Sequence, residues 1–148
     1  MTRPPLLAFA LVGAGGAIGT ALRYLASEAV PDGAASVPST ASLLVILAIN
    51  VLGSGLLGAL VGRLGRHPRS AHPSAAAPRG RLLPGTGVLG GFTTYSTFAL
   101  DVVELARAGQ WLGAIGYPIA SVALGLGAAW CGLRFGRGQA FAPHGGTA

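Results

Sequence analysis

Four long apolar stretches, separated by polar or proline-rich segments, dominate the pattern of the sequence. They cover roughly Leu6–Leu25, Leu43–Val61, Leu82–Leu105 and Trp111–Leu133. Each is close to the ~20 residues that an α-helix needs to cross a lipid bilayer. The pattern therefore predicts an all-α membrane protein in which residues 1–148 form a single domain of four transmembrane helices.

The third stretch differs from the others because its centre is polar. Between Gly90 and Phe98 it consists of glycines, hydroxyl side chains and aromatic rings. Irregular backbone inside a bilayer is tolerated only where protein or water surrounds it, and paired glycines followed by β-branched residues weaken a helix. We therefore expect the third helix to be broken within Gly90–Phe98. Freed carbonyls at such a break can hold a cation, and hydroxyls and ring edges can meet an anion.

The segments outside the apolar stretches are predicted to be flexible. Residues 63–81 contain five Arg and three Pro, and residues 136–148 form a glycine-containing tail. A basic loop can bind nucleic acid, but this one has no interleaved aromatic residues and lies between membrane spans. Contact with the membrane surface is the favoured interpretation.

Composition agrees with a membrane protein and argues against an enzyme. Hydrophobic residues make up 51% of the chain and charged residues only 9%, whereas soluble domains carry about 25% charged residues. The net charge of +6 comes from Arg, because the chain has no Lys. Its single cysteine, Cys131, excludes an internal disulfide. Neither paired carboxylates nor a His or Cys cluster indicates catalysis or a metal enzyme.

Two glycine-rich stretches leave an alternative from a different class open. The sequences Gly13–Gly19 and Gly85–Gly90 imitate the phosphate-binding turn of dinucleotide-binding enzymes. Such a turn joins a strand to a helix within a larger sheet, and no alternating strand–helix pattern accompanies it here. A membrane-associated dinucleotide-binding enzyme is therefore the less favoured hypothesis.

Several polar side chains lie within the apolar spans, where burial without a partner is costly. Arg23 ends a face of small residues in the first span, where it either snorkels to the interface or attracts anions into a vestibule. Asn50 either bonds to a neighbouring helix or offers its N–H groups to an anion. Tyr117 and Ser121 are four residues apart on the fourth span, so they are either satisfied core residues or part of a hydroxyl ladder along a pore.

Three segments in this order give the chain a resemblance to the CrcB/Fluc family of fluoride channels. The segments are residues 15–24 (GGAIGTALRY), residues 50–53 (NVLG) and residues 90–98 (GGFTTYSTF). The last is the most specific of the three. The chain departs from the family pattern at Tyr95, where the family usually has Phe, and at Gly125, where it often has Ser.

The resemblance implies a fluoride-selective channel that passively exports fluoride from the cytoplasm and relieves its toxicity. The subunit would dimerise with antiparallel, dual topology, and each dimer would carry two pores. By similarity, the fluoride pathway would consist of Asn50, Tyr95, Ser96, Thr97, Phe98, Tyr117 and Ser121. Arg23 would be a vestibule charge, and the backbone carbonyls of Gly91 and Thr94 would hold a structural Na⁺ at the dimer axis.

The distribution of Arg predicts an orientation. Four spans put Arg3, Arg63, Arg66, Arg69, Arg79, Arg81, Arg134 and Arg137 on one side, and Arg23 and Arg107 on the other. By the positive-inside rule, both termini are cytoplasmic in an inner or plasma membrane. A biased chain in an antiparallel dimer indicates an oppositely oriented paralogous partner, with a homodimer as the alternative. A non-conducting or half-active partner subunit is the second functional hypothesis.

Overall fold

The computed structural model of the protein is built of helices. It describes residues 6–30, 37–65 and 81–138, and within these ranges it contains no β-strand. In chain order the helices are α1 (Leu6–Glu28), α2 (Thr40–Leu64), α3 (Leu82–Leu89), α4 (Gly90–Phe92), α5 (Ser96–Arg107) and α6 (Trp111–Gly138).

Three of these helices match predicted membrane spans. In the described part of the chain, α1, α2 and α6, with 23, 25 and 28 residues, are long and apolar enough to cross a membrane. Each extends the predicted span by a few residues. The side chain of Ser39 begins α2 by accepting a hydrogen bond from the backbone N–H of Ser42, at 3.1 Å, which satisfies one of the free donors of the first turn.

The third apolar stretch is divided into three short helices, as the polar centre predicted. Helix α3 is π-helical throughout. Pro84 within it has no N–H to donate, and Gly85 and Gly87 are weak helix formers, so an ordinary α-helical ladder is not favoured. Helix α4 follows directly, and a non-helical segment at Thr93–Tyr95 separates it from α5.

A tight turn joins α5 to α6 and makes them neighbours. Gly109 has a φ of 74°, a left-handed conformation that glycine adopts without a steric penalty. Its N–H and that of Gln110 donate to the carbonyls of Ala106 and Leu105, at 3.0 and 2.9 Å. This arrangement ends α5 and returns the chain as α6 alongside it.

The helices associate mainly as two pairs, α1 with α3–α4 and α2 with α6. Close backbone contact identifies both pairs as parallel. A Cβ on Gly15 would lie 2.9 Å from Gly87, and one on Gly19 would lie 2.7 Å from the nitrogen of Phe92. Small residues allow such an approach between helices.

The second pair shows the same progression. Gly55 faces Ala128, Gly58 faces Ala129, and Gly62 faces Leu133. Residue numbers rise together on the two helices, so α2 and α6 run in the same direction. The chain must therefore cross the molecule once between them, and α3–α5 is the segment that does so.

The predicted flexible segments begin and end elsewhere than expected. Arg63 and Leu64 belong to the last turn of α2, and Gly136–Gly138 belong to α6. The predicted loop and tail are thus shorter at these edges. The remaining positions of both predictions, 66–80 and 139–148, lie outside the described residues.

Candidate functional site

The break in the third span lies at Thr93–Tyr95, within the polar centre Gly90–Phe98 where it was predicted. Gly90 and Gly91 are helical, because α1 supports them: a Cβ on Gly91 would lie 3.0 Å from the Cα of Gly16. Thr93 then turns to extended backbone, with φ −72° and ψ 153°. The tertiary contact with α1 thus keeps the glycine pair helical and shifts the break to the threonines.

Asn50 fastens this break to α2 by two hydrogen bonds to one residue. Its Nδ2 donates to the carbonyl oxygen of Thr94 at 3.0 Å, and its Oδ1 accepts the N–H of Thr94 at 2.9 Å. We call this arrangement the Asn50–Thr94 bracket. It replaces helical hydrogen bonds that Thr94 lacks. An amide nitrogen carries two N–H donors, so Asn50 retains one for another acceptor.

The hydroxyls around the break form a local cluster centred on Thr94, whose side chain is buried. Thr94 Oγ1 accepts the N–H of Thr97 at 3.3 Å and lies 3.2 and 3.3 Å from the hydroxyls of Thr97 and Ser96. Its contact with the N–H three residues ahead resembles the capping of a helix start. Ser96 and Thr97, both predicted pathway residues, are therefore held beside the break at the beginning of α5.

Three aromatic rings continue from the break towards α6. The ring centroids of Tyr95 and Phe98 are 6.1 Å apart, and those of Phe98 and Tyr117 are 5.3 Å apart. The planes of the two ring pairs meet at 41° and 37°, so the edge of one ring is tilted towards the face of the next. Tyr95, at 81% exposed, forms the open end of this row.

Two predicted hydroxyl residues lie on α6 at the closed end of the row. The Tyr117 hydroxyl is buried and has no hydrogen-bond partner among the described residues. Ser121, one helical turn further along, is also buried. Buried hydroxyls normally have partners, so the Tyr117 hydroxyl is a candidate to bind something that enters the site.

A groove of about 810 Å³ lies between α2, α3 and α6 and reaches the break. Four of the predicted pathway residues line it, namely Asn50, Tyr95, Phe98 and Ser121. Ser96, Thr97 and Tyr117 do not line it, although they contact residues that do. The structure therefore brings the predicted pathway together around one end of a single groove.

Sequence reasoning missed several polar residues of this groove. They are Ser54, Arg81, Thr86 and Thr93. Helical spacing places Ser54 one turn beyond Asn50 on the same face of α2, but Ser54 was not predicted as a pathway residue. Arg81 falls at the edge of the predicted loop, which concealed its place at the start of α3.

Of the remaining predicted site residues, Thr94 lines the groove, whereas Arg23 and Gly91 do not. Arg23 is half-buried on α1. The carbonyl of Gly91 faces the hydroxyl of Thr20 at 3.5 Å, and that of Thr94 accepts the Asn50 amide. A carbonyl oxygen has two lone pairs, so these interactions leave both predicted Na⁺ ligands able to accept a cation.

Comparison with known proteins decides the family. The model of the CrcB-like protein family, described as camphor resistance (CrcB), matches residues 10–133, which include every predicted site residue. The chain belongs to the CrcB-like family. The family resemblance of the three sequence segments is thus confirmed.

Individual relatives of this CrcB-like chain are similar over most of their length. A protein of Rhizobium meliloti is 39% identical over 83% of this chain and 90% of its own. One of Erythrobacter litoralis is 39% identical over 92% and 96%, respectively. One of Leifsonia xyli subsp. xyli is 42% identical over 85% and 81%. The first two carry the name "Fluoride-specific ion channel FluC", and the third carries "Fluoride-specific ion channel FluC 2".

Proposed function

We propose that this chain is a subunit of a fluoride-selective channel that passively exports fluoride from the cytoplasm and so relieves fluoride toxicity. The observation that carries the proposal is the bracketed break: polar groups and aromatic edges converge there, at the end of a groove within a membrane protein. Family membership and the names of the relatives support the choice of fluoride. No reaction is catalysed in such a function.

The proposed pathway uses groups that can replace the water around a small anion. Asn50 offers the N–H that the bracket leaves over, Tyr117 and Ser121 offer hydroxyls, and Phe98 and Tyr95 offer ring edges. Ring edges carry the positive part of the aromatic quadrupole. Ser96 and Thr97 support the path from the start of α5. Larger anions would be excluded by the close spacing of these groups.

We further propose four membrane crossings and an antiparallel dimer. The parallel packing of α1 with α3 and of α2 with α6 supports a third crossing by α3–α5. The mostly apolar groove is open on one side, where lipid would leave its few polar groups unsatisfied. A second subunit of opposite orientation would cover it and complete two pathways. Gly91 and Thr94 carbonyls from both subunits could then surround a structural Na⁺, since hard cations favour oxygen ligands.

The charges support an orientation with both termini in the cytoplasm. Arg63, Arg134 and Arg137 lie at the adjoining ends of α2 and α6, and Arg81 lies at the start of α3 on the same side. The guanidinium of Arg134 lies 4.2 Å from the centre of the Trp130 ring, a combination suited to a membrane interface. Such a bias in the distribution of Arg favours an oppositely oriented paralogue as the partner. Numbered names among the relatives, "FluC 2" in Rhodococcus jostii and "FluC 1" in Cutibacterium acnes, are consistent with paralogous pairs.

A second candidate function remains within the family, whereas the enzyme hypothesis is wrong. Tyr95 and Gly125 depart from the family pattern, which favours a half-active or non-conducting partner subunit as the second candidate. Dinucleotide binding would require a strand before each glycine-rich turn. Gly13–Gly19 instead lies inside α1, and Gly85–Gly90 lies in α3 and the start of α4.

Fluoride efflux from proteoliposomes tests the proposal. Vesicles contain this chain alone or co-purified with an oppositely oriented paralogue, and a fluoride electrode records release, with chloride release as the control. We expect release of fluoride without release of chloride. Efflux from the chain alone would establish a homodimeric channel, and efflux only with the paralogue would establish a heterodimer. Absence of fluoride release from both preparations would refute the proposed function.

A further inference from the structure

Among the described residues, Arg81 is the one charged side chain that lines the groove, and the other described lining residues are neutral. Arg81 immediately precedes α3. Near it, Leu60 of α2 lies against Gly85, since a Cβ on that glycine would be 3.1 Å from the leucine side chain. Arg81, Leu60 and Val61 thus form one end of the groove, and Asn50 and Phe98 line its other end.

One donor of the half-buried Arg81 guanidinium lacks a partner in the described part of the chain. Its Nε atom is buried and has no hydrogen-bond partner among the described residues. The carboxylates of the described chain, Glu28, Asp101 and Glu104, do not line the groove. A buried donor without a partner is unfavourable, and an ionisable residue within a membrane protein generally faces a partner or a water-filled path. An anion inside the groove would supply what Arg81 lacks.

We propose that Arg81 is an anion-capture residue, which draws aqueous fluoride into the groove and towards the Asn50–Thr94 bracket. The inference rests on the proposed function. Hydroxyls line the groove between the two ends at Thr86 and Ser54. The hydroxyl of Thr93, which also lines the groove, donates to the carbonyl of Leu89 at 3.0 Å. An anion leaving Arg81 would therefore meet neutral donors before it reaches Asn50. Arg23, the vestibule residue predicted from sequence, does not line this groove.

The proposal concerns the concentration of fluoride at the mouth of the groove and not the maximal rate of conduction. A single positive charge beside low-dielectric walls concentrates counter-ions locally. Its removal should raise the fluoride concentration that gives half-maximal flux by about tenfold, the lower end of the range for electrostatic focusing. The maximal flux should change little, because the narrow part of the pathway is untouched.

The test measures initial fluoride efflux against fluoride concentration, in whichever preparation conducts. The variants are Arg81→Gln, Arg81→Lys and, as a matched control, Arg137→Gln. Arg137 lies at the same end of the molecule, is exposed and does not line the groove. We expect a raised half-saturating concentration for Arg81→Gln, substantial rescue by Arg81→Lys, and no change for Arg137→Gln.

Other outcomes overturn the inference. A lower maximal flux with an unchanged half-saturating concentration would assign Arg81 a structural role. If Arg81→Gln raises the half-saturating concentration in vesicles of anionic lipid but not in vesicles of zwitterionic lipid, a lipid headgroup is the ligand of Arg81. If Arg81→Gln fails to fold, the wild-type protein still tests the idea: its flux at low fluoride must fall as an impermeant salt screens the charge. Absence of wild-type fluoride flux would refute the proposed function itself, and this inference with it.

Discussion

The Asn50–Thr94 bracket makes a quantitative prediction about the third span. Asn50→Leu keeps a side chain of similar volume but removes both hydrogen bonds, at 3.0 and 2.9 Å. Side-chain hydrogen bonds within membrane proteins contribute about 0.6 kcal/mol on average and about 1.7 kcal/mol at most. Two bonds therefore predict a loss of about 1–3 kcal/mol in the free energy of unfolding. The leucine leaves no cavity of note, so lost packing adds little to this value.

The measurement is unfolding in mixed detergent micelles, followed by tryptophan fluorescence at one fixed protein concentration, because dimerisation makes apparent stability concentration-dependent. Ser54→Ala is the matched control. Ser54 lies one turn further along α2 and lines the same groove, and its hydroxyl makes no hydrogen bond among the described residues. We expect Ser54→Ala to stay within about 0.5 kcal/mol of wild type. Equal stability of the Asn50→Leu and Ser54→Ala variants would refute the idea that the bracket holds the break.

Three further predictions concern single side chains. Gly19→Ala should prevent correct folding, because its Cβ would meet the carbonyl oxygen of Val88. Gly13→Ala should be tolerated, because a Cβ at that position has no neighbour within 4 Å. The yield of monodisperse protein in gel filtration distinguishes the two variants. Tyr117→Phe removes a buried hydroxyl that has no partner in the described part of the chain. Stability should therefore be unchanged or rise by about 1 kcal/mol while fluoride flux falls, and a clear loss of stability would contradict this. Tyr95→Phe, at a site 81% exposed, should leave unfolding unchanged within about 0.5 kcal/mol and retain fluoride flux, which an efflux assay measures.

Much of the fold could be predicted from the sequence, because apolar length alone determines whether a helix can cross a membrane. The long helices α1, α2 and α6 coincide with predicted spans, and the polar centre of the third stretch correctly indicated a break. The exact residues of that break within Gly90–Phe98 could not be predicted. Local propensity favours a break at Gly90–Gly91, but packing of Gly91 on Gly16 keeps this pair helical. That contact joins residues far apart in the chain, which no local pattern reveals.

The candidate site shows the same division between local and tertiary information. Polar residues within apolar spans were identifiable because burial of polar groups is costly, and this singled out Asn50, Tyr117 and Ser121. The partner of Asn50 was not identifiable from the sequence, because a neighbouring helix and an anion would satisfy its amide equally well. In the structure, the backbone of Thr94 bonds to one N–H of the Asn50 amide and to its oxygen. The second N–H of the amide remains available. Structural support and anion contact are thus compatible roles for a single side chain.

The position of the break along the third span bears on the proposed dimer. Thr93–Tyr95 lies about halfway between Leu82 and Arg107, the ends of α3 and α5. Inversion of a subunit in a membrane exchanges its two ends and keeps only mid-depth elements at their own level. Two antiparallel subunits can therefore bring their breaks, and the exposed Tyr95 of each, to the same depth. A break near either end would have made this impossible. The central break is thus the feature of one chain that permits an inverted partner to complete the pathway.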